Sequence, residues 1–140
     1  MTNQPRTETL PSAQLIKKGQ LSINPINNKP FTGITIEHYH NNNNPFDISK
    51  IKTRTAFTQG KKDGLEEYFF KSGKLKYRGN YKDGQLDGLH KWFDYTGQLK
   101  KTVTYKKGKE HGLWERFHES GQLQSRENYK NGKKHGLKET

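Results

Sequence analysis

The chain contains no cysteine, a single methionine and few apolar residues, with hydrophobic types making up 27% of its 140 residues. Without cysteine there is no disulfide, no thiolate metal ligand and no thiol nucleophile. The mean hydropathy of −1.24 is far below that of a typical globular domain, about 45–50% of which is apolar, so a thick two-layer core is not expected. The 11% of aromatic residues nevertheless argues against disorder and predicts a thin folded sheet.

Acidic side chains are also scarce. There are 14 Asp and Glu against 26 Lys and Arg, which gives a formal net charge of +12. This balance favours nucleic acid, an anionic membrane or an acidic protein as partner. Long apolar runs are absent, and the opening MTNQPRTETLPSAQLIKK lacks the apolar stretch of a signal peptide. The sequence therefore predicts one domain in the cytoplasm.

A repeat of 24 residues dominates the chain from residue 57 onward. Its most regular element is a glycine followed four residues later by a Gly–Leu pair. The recurring positions are Gly60, Gly84, Gly108 and Gly132; Gly64, Gly88, Gly112 and Gly136; Leu65, Leu89, Leu113 and Leu137; Phe69, Phe93 and Phe117; Gly73, Gly97 and Gly121; Leu75, Leu99 and Leu123. An aromatic residue opens each unit, at Phe57, Tyr81, Tyr105 and Tyr129. Such periodicity indicates a repeat architecture.

Each unit predicts a β-hairpin, because two short runs alternate with period two around a glycine turn. With a three-residue loop at 71–73 and Gly73 in the left-handed region, Phe69 comes opposite Leu75, and the apolar face continues through Tyr77 to Tyr81. A two-residue loop would set Phe69 opposite Lys76 and scatter the apolar set. The YKDG, YKKG and YKNG segments are turn signals leading to the next hairpin. The expected fold is all-β, an elongated single antiparallel sheet of stacked hairpins.

The domain organisation follows from the repeat. Residues 1–26 are expected to form an N-terminal extension that covers the first sheet edge, and residues 27–140 the repeat domain. The predicted units are a degenerate repeat at 27–56 with a loop insertion at 41–50, full repeats at 57–80, 81–104 and 105–128, and a partial repeat at 129–140. An inserted loop is also a place where a partner contact can develop.

The segment YKKGKEHGLWERFHESGQLQSRENY resembles the bacterial variant of the MORN repeat, whose units read approximately Y-x-x-G-x-x-x-G-L-x-x-x-F-x-x-x-G-x-L. KPFTG is similar to the first-repeat opening of that variant, and the resemblance covers about residues 28–140. Within the variant, the chain resembles the YwqK-type antitoxin group associated with polymorphic toxin systems. The resemblance implies an antitoxin or immunity protein that binds and neutralises a toxin domain made by the same bacterium.

The candidate partner-binding residues vary between repeats and are expected on the face opposite Leu65 and Phe69. Large aromatics that vary are not needed for a repeating core, and Trp, Tyr and Arg are the usual anchors of protein interfaces. Curvature of the sheet could instead bury this face. The predicted set is Tyr68, Phe70, His90, Trp92, Asp94, Trp114, Arg116 and His118, joined across the hairpins by Lys76, Arg78, Lys100 and Arg126.

No set of residues predicts catalysis, so the chain is not expected to be an enzyme. GKKDGL and GKEHGL lack the spacing of a phosphate loop, and His38 with His40 has no third ligand nearby for zinc. No cofactor and no metal are expected. Glu67 and Glu115, with Lys91 at the same position of the repeat between them, indicate cross-strand charge pairing.

Two functions remain open. The first is neutralisation of a cognate toxin domain, a nuclease being one candidate, that presents an acidic patch to this basic surface. The alternative is a scaffold whose basic face binds anionic lipid head groups or nucleic acid.

Overall fold

The computed structural model describes residues 8–136, and these form two sheets without any α-helix. The strands of the 11-stranded sheet are β1 (Glu8–Pro11), β5 (Gly33–His38), β6 (Ile51–Thr58), β7 (Lys61–Phe69), β8 (Leu75–Lys82), β9 (Gln85–Leu86), β10 (Gly88–Phe93), β11 (Leu99–Lys106), β12 (Lys109–Phe117), β13 (Leu123–Lys130) and β14 (Lys133–Lys134). A 3-stranded sheet contains β2 (Ile16–Lys18), β3 (Leu21–Asn24) and β4 (Lys29–Pro30), and a 3₁₀ turn spans Ser12–Gln14.

The predicted fold class is confirmed: hairpins β5–β6, β7–β8, β10–β11 and β12–β13 stack side by side in one large sheet. Two features differ from the expected single antiparallel sheet. Strand β1 pairs with β5 in parallel, and β2, β3 and β4 form their own sheet. Both features involve strands β1 to β4, where the 24-residue repeat is absent or degenerate and does not indicate how strands pair.

Short turns join consecutive hairpins, as the glycines predicted. In four of them the two central residues both have positive φ, at Gln59–Gly60, Asp83–Gly84, Lys107–Gly108 and Asn131–Gly132. This is the backbone of a type I′ turn, whose twist matches that of paired strands, and Gly adopts it without steric cost.

The hairpin loops also have the predicted length. In the first full repeat the amide of Phe70 donates to the carbonyl of Lys74 at 2.9 Å, which leaves residues 71–73 as the loop, and Gly73 has φ of 90°. Phe69 lies opposite Leu75, as expected.

The prediction that the apolar face of Phe69 and Leu75 continues through Tyr77 to Tyr81 was wrong. The register shifts by one residue between Tyr68 and Phe69, so that Tyr68 rather than Phe69 shares a face with Tyr77. The extra residue is Lys76, and such a β-bulge sends every following side chain to the other face. The same shift occurs between Trp92 and Phe93 and between Arg116 and Phe117.

Each opening aromatic residue lies directly opposite a glycine of the preceding hairpin strand. The pairs are Phe57 with Gly33, Tyr81 with Gly64, Tyr105 with Gly88 and Tyr129 with Gly112. Glycine is weak within a strand because it has no side chain to pack, and an aromatic ring opposite it covers the exposed backbone. This pairing explains why the aromatic and the glycine recur together.

Alternation and register divide the sheet into two faces. The aromatic face carries Glu66, Tyr68, Tyr77, Tyr81, His90, Trp92, Lys101, Val103, Tyr105, Trp114 and Arg116. The leucine face carries Leu65, Glu67, Phe69, Arg78, Leu89, Phe93, Leu113, Glu115, Phe117 and Arg126.

The aromatic face is the better buried of the two. Val103 is 1% exposed and Tyr77 6%, whereas Leu65 and Leu89 are each 46% exposed. The leucines recur for packing along the repeat, yet they leave almost half of their surface in water. The main packing of the repeats therefore lies on the face whose residues vary.

The N-terminal segment closes one end of the large sheet. Strand β1 (Glu8–Pro11) pairs with β5 and so covers the first edge of the sheet. Phe31 is 1% exposed, and its ring lies 5.8 Å from that of Phe57. Its backbone carbonyl accepts from the amide of Gly60 at 2.7 Å, which ties the small sheet to the turn after β6.

His38 pairs with Ile51, as Phe69 pairs with Leu75, so the degenerate repeat has the hairpin register of the full ones. At the other end Lys133–Lys134 forms the final short strand β14. Residues 137–140 of the expected partial repeat, including Leu137, lie outside the described residues.

Candidate functional site

His90 lies at the centre of the aromatic face and is 0% exposed. Its Nε2–H donates to the carbonyl of Asn80 at 2.9 Å, so Nδ1 is left to accept from the Tyr77 hydroxyl at 2.6 Å. The ring of Tyr105 packs edge-on at 4.8 Å. Burial lowers the pKa of His90 and outweighs the opposing effects of its hydrogen bond to Asn80 and of the Glu66 carboxylate, so the neutral form is favoured. His90 is a core residue.

Glu66 is also buried on this face, at 3% exposure. The hydroxyls of Tyr68 and Thr55 donate to its carboxylate at 3.0 and 3.3 Å, and Lys62 forms an ion pair with it. Burial, together with the negative charge of Glu66, raises the pKa of Tyr68 to about 12. The N-terminal half of the aromatic face is thus an internally satisfied polar network.

The C-terminal half of this face is cationic. The Nζ of Lys101 lies 4.1 Å from the ring centre of Trp92, and the guanidinium of Arg116 lies 5.1 Å from that of Trp114. Lys101 and Arg116 are direct cross-strand partners on β11 and β12. Burial, followed by repulsion from Arg116, lowers the pKa of Lys101.

A groove of about 490 Å³ opens next to these residues, at the hairpin-loop end of the strands. Its lining residues are Lys76, Trp92, Phe93, Lys100, Lys101, Arg116, Phe117 and Gln124. Lys76, Lys100 and Gln124 occupy the same bulge position in successive repeats. The bulge thus places a long polar side chain at the rim of the groove in each repeat.

Four of the predicted site residues line this groove, namely Lys76, Trp92, Lys100 and Arg116. Tyr68 and Trp114 lie on the same face, Tyr68 with 37% exposure and Trp114 partly exposed. The structure therefore brings together half of the predicted set. Their role in partner binding stays a prediction.

The other predicted residues lie elsewhere. Arg78 and Arg126 were expected on this face, but the bulge sends them to the leucine face, where they donate to Glu67 and Glu115. His90 is on the expected face but fully buried, so it cannot reach a partner. The alternative expectation, that this face is buried, is correct at His90.

Phe70, Asp94 and His118 begin the hairpin loops. Their amides donate to the residue that closes the loop, four positions later. The carboxylate of Asp94 accepts from the amides of Thr96 and Gln98 at 2.9 and 3.1 Å, so its side chain has a structural role in its own turn.

Sequence reasoning missed Lys101, the residue that joins Trp92 to Arg116. Its counterparts in the neighbouring repeats are Tyr77 and Ser125, and no pattern distinguishes this position. These three residues are equivalent positions of the repeat, and only the bulge before them shows that this position lies on the aromatic face.

The expected charge pairing on the leucine face involves arginines. Glu67 accepts from Arg54 at 2.7 Å and from Arg78 at 2.6 Å, and Glu115 from Arg126 at 2.7 Å. Lys91 instead lies opposite Arg78 and Thr102.

Residues 8–136 contain no group of three or more His, Asp or Glu arranged to hold a metal ion. Nor do they include a helix that is long and apolar enough to cross a membrane.

The fold and the groove define a repeat-sheet scaffold of the kind used for binding. The comparisons with known proteins agree with this class. Residues 62–83, 86–107 and 110–131 match the MORN repeat variant, so the chain contains three such repeats, again 24 residues apart.

Other comparisons are distant. No curated protein sequence matches the chain. A crystal structure of accessory secretory protein 1, 2 and 3 in Streptococcus pneumoniae is similar with a TM-score of 0.38 and 16% identity, over 94% of this chain and 21% of that one. The chain thus spans about a fifth of the length of that neighbour, and so distant a likeness supports no functional conclusion.

Proposed function

We propose that this protein is an immunity protein, which binds a toxin domain made by the same bacterium and neutralises it through protein–protein contacts. The MORN-variant repeats support a binding scaffold. The resemblance to the antitoxin group supports the finer assignment. We propose in addition that the chain works by binding alone, without catalysing a reaction.

The observation that carries the proposal is the groove beside Trp92. Trp and Arg side chains dominate the energetics of protein interfaces, because they bury a large area and still offer a polar or charged group. Trp92 and Arg116 line the groove together, and Trp114 lies in the adjacent position of the same face. A partner that fills the groove and extends along the aromatic face would bury all three.

The net charge of +12 supports an acidic partner. Charge complementarity chiefly accelerates encounter, whereas burial of the aromatic anchors determines how slowly the complex dissociates. The cations around the groove would thus attract an acidic toxin surface and the tryptophans would retain it.

The test pairs this protein with the toxic C-terminal domain encoded by a neighbouring reading frame. Co-expression is expected to restore growth to a bacterial host that produces the toxic domain. Trp92→Ala and Trp114→Ala should each weaken binding by at least about 2 kcal/mol, close to thirtyfold in Kd, as measured by calorimetry.

Tyr95→Ala is the matched control, because Tyr95 is an aromatic residue on a hairpin loop with 76% of its surface exposed. It should leave the affinity unchanged. Full affinity in folded Trp92→Ala and Trp114→Ala variants would show that the site is wrong. Failure to protect the host from any neighbouring toxic domain would overturn the function itself.

A further inference from the structure

A single row of side chains crosses the aromatic face from strand to strand. Each member is the direct cross-strand partner of the next. In order along the sheet they are Tyr68, Tyr77, Trp92, Lys101 and Arg116. The row therefore changes from three aromatic rings to two adjacent positive charges at the boundary between β10 and β11.

The two charges at the end of this row repel each other. Like charges directly opposite in an antiparallel pair destabilise a sheet. Among residues 8–136, no carboxylate forms an ion pair with Lys101 or Arg116. Lys101 is partly buried, and its lowered pKa reflects both that burial and the charge of Arg116, which the charge of Glu110 only partly offsets.

The leucine face handles its arginines differently. There Glu67 lies between Arg54 and Arg78, and Arg126 pairs with Glu115. Lys91 also lies opposite Arg78 on that face, but Glu67 neutralises the arginine. On the aromatic face, neither Lys101 nor Arg116 has an ion-pair partner among the described residues. This contrast indicates a position that an anionic group from outside can occupy.

The rim of the groove adds to the same charge. Lys76 and Lys100 line it from the bulges of the first and second full repeats. Asp94 lies beyond Lys100, and its carboxylate accepts from the amides of Thr96 and Gln98 and feels the charge of Lys100. An acidic ligand entering the groove would therefore meet four cations.

The aromatic part of the row decides which anion fits. The ring of Trp92 has Lys101 over it at 4.1 Å and Tyr77 beside it at 5.2 Å. Tyr77 is only 6% exposed, and Tyr68 tilts against it at 5.1 Å. These rings pack on one another rather than presenting a free stacking platform, which single-stranded nucleic acids need for their bases. A carboxylate needs only the paired donors of Lys101 and Arg116.

We propose that the groove seats a carboxylate of an acidic segment of the protein partner, held between Lys101 and Arg116. Lys76 and Lys100 contact neighbouring acidic groups at the rim. This inference rests on the proposed function and names the chemistry by which the partner is recognised. Binding relieves the repulsion between the two cations, so the site is specific for a negatively charged group.

The experiment uses the full chain with Trp114→Phe, which leaves Trp92 as the sole tryptophan. A capped tetraglutamate peptide is titrated while the fluorescence of Trp92 is recorded, and a capped tetraglutamine peptide is the matched uncharged probe. The expected result is a saturable change with the acidic peptide only. Titration of the Lys101 ammonium group by NMR should show its pKa rising when the peptide is bound.

Variants separate this site from the general basic charge. Lys101→Gln and Arg116→Gln should each weaken peptide binding about tenfold or more, the effect of about 1.4 kcal/mol. Lys130→Gln removes the same charge from an exposed position at the far end of β13. It should change the affinity less than about twofold, because an exposed charge away from the contact mainly affects the rate of encounter. Lys101→Arg, which keeps the charge, should retain binding.

Equal losses in all three glutamine variants would overturn the proposal, since attraction would then be non-specific. Binding of an oligothymidine or of phosphatidylserine vesicles through Lys101, without peptide binding, would also overturn it in favour of phosphate recognition. Peptide binding with no neutralised toxin would contradict the immunity function but keep the carboxylate site. Neutralisation of the toxin without peptide binding would overturn the carboxylate site but keep the immunity function.

Discussion

At the scale of single residues, His90 shows how a variable polar position becomes part of the core. The corresponding residues of the flanking repeats are Glu66 and Trp114, yet His90 is completely enclosed. Room for its ring comes from Gly79, where an added Cβ would lie 2.1 Å from Nδ1 of His90 and 2.3 Å from the Tyr77 hydroxyl oxygen. The absent side chain of Gly79 thus makes the hydrogen bond between Tyr77 and His90 possible.

The lowered pKa of His90 predicts acid sensitivity. The unfolded chain binds a proton at His90 near the ordinary pKa of about 6.5, whereas the folded chain binds it only at lower pH. The contribution of His90 to the free energy of unfolding should therefore be constant above the unfolded pKa of about 6.5. It should fall as the pH drops below this value, by no more than about 1.4 kcal/mol per pH unit for one proton.

Urea unfolding at several pH values between 5 and 8 measures this effect. His90→Gln should remove the slope, although it lowers stability at every pH. His118→Gln, at an exposed loop position, should keep it. A slope that persists in His90→Gln would assign the acid sensitivity to other groups.

At the scale of secondary-structure elements, the bulge after each hairpin loop determines the chemistry of both faces. A single extra residue, Lys76 in the first full repeat, moves Tyr77 to the aromatic face and Arg78 to the leucine face. Arg78 then meets Glu67, which is 3% exposed and also binds Arg54. One carboxylate thereby links three strands, β6, β7 and β8.

We predict that Glu67→Gln destabilises the protein by about 2 kcal/mol. Breaking a fully buried ion pair would cost more stability, but the two arginine side chains remain about half exposed and water screens their charges. Burial alone would raise the pKa of Glu67, yet the hydrogen bonds from Arg78 and Arg54 outweigh it and the pKa is lowered, which marks the carboxylate as stabilised in the folded state.

The third full repeat offers a matched control for this prediction. Glu115 occupies the equivalent position but binds one arginine, Arg126, and is 17% exposed. Glu115→Gln should cost about 1 kcal/mol or less. Chemical denaturation of both variants provides the comparison, and equal losses would contradict the three-strand linkage.

At the scale of the whole molecule, the sheet formed by residues 8–136 is a stack of hairpins rather than a shell around one central core. Each hairpin packs mainly on its two neighbours, and such a stack is stabilised by nearest-neighbour contacts. Among residues 8–136, one end of the stack is covered by β1 and by Phe31, whereas the last strand at the other end is the two-residue β14. Within this described part of the chain, the two ends therefore differ in their strand pairing.

Amide hydrogen exchange should reveal this gradient. Amides of β7 to β12 are expected to exchange slowest, and those of β14 fastest, because local opening requires the loss of fewer contacts at an end. Glu67→Gln should speed exchange in β6, β7 and β8 more than in β13. Uniform exchange across all strands, in the parent protein and in the variant, would show instead that the sheet opens as one cooperative unit.

Much of the fold could be predicted from the sequence because its determinants are local. Glycines every 24 residues specify the turns, and period-two alternation specifies strands, so the hairpins, the loop at 71–73 and the pairing of Phe69 with Leu75 followed from residues near one another in the chain. Trp92 and Arg116 could be placed on a common face for the same reason.

Only the tertiary structure decided which residues share the site. The bulge at Lys76 depends on how two strands pair, and an error of one residue moves Arg78 and all later side chains of β8 to the other face. Burial of His90 depends on Gly79 in an adjacent strand, and the opposition of Lys101 to Arg116 on pairing between β11 and β12. Local sequence determined the hairpin, whereas contacts between strands determined what each face presents to a partner.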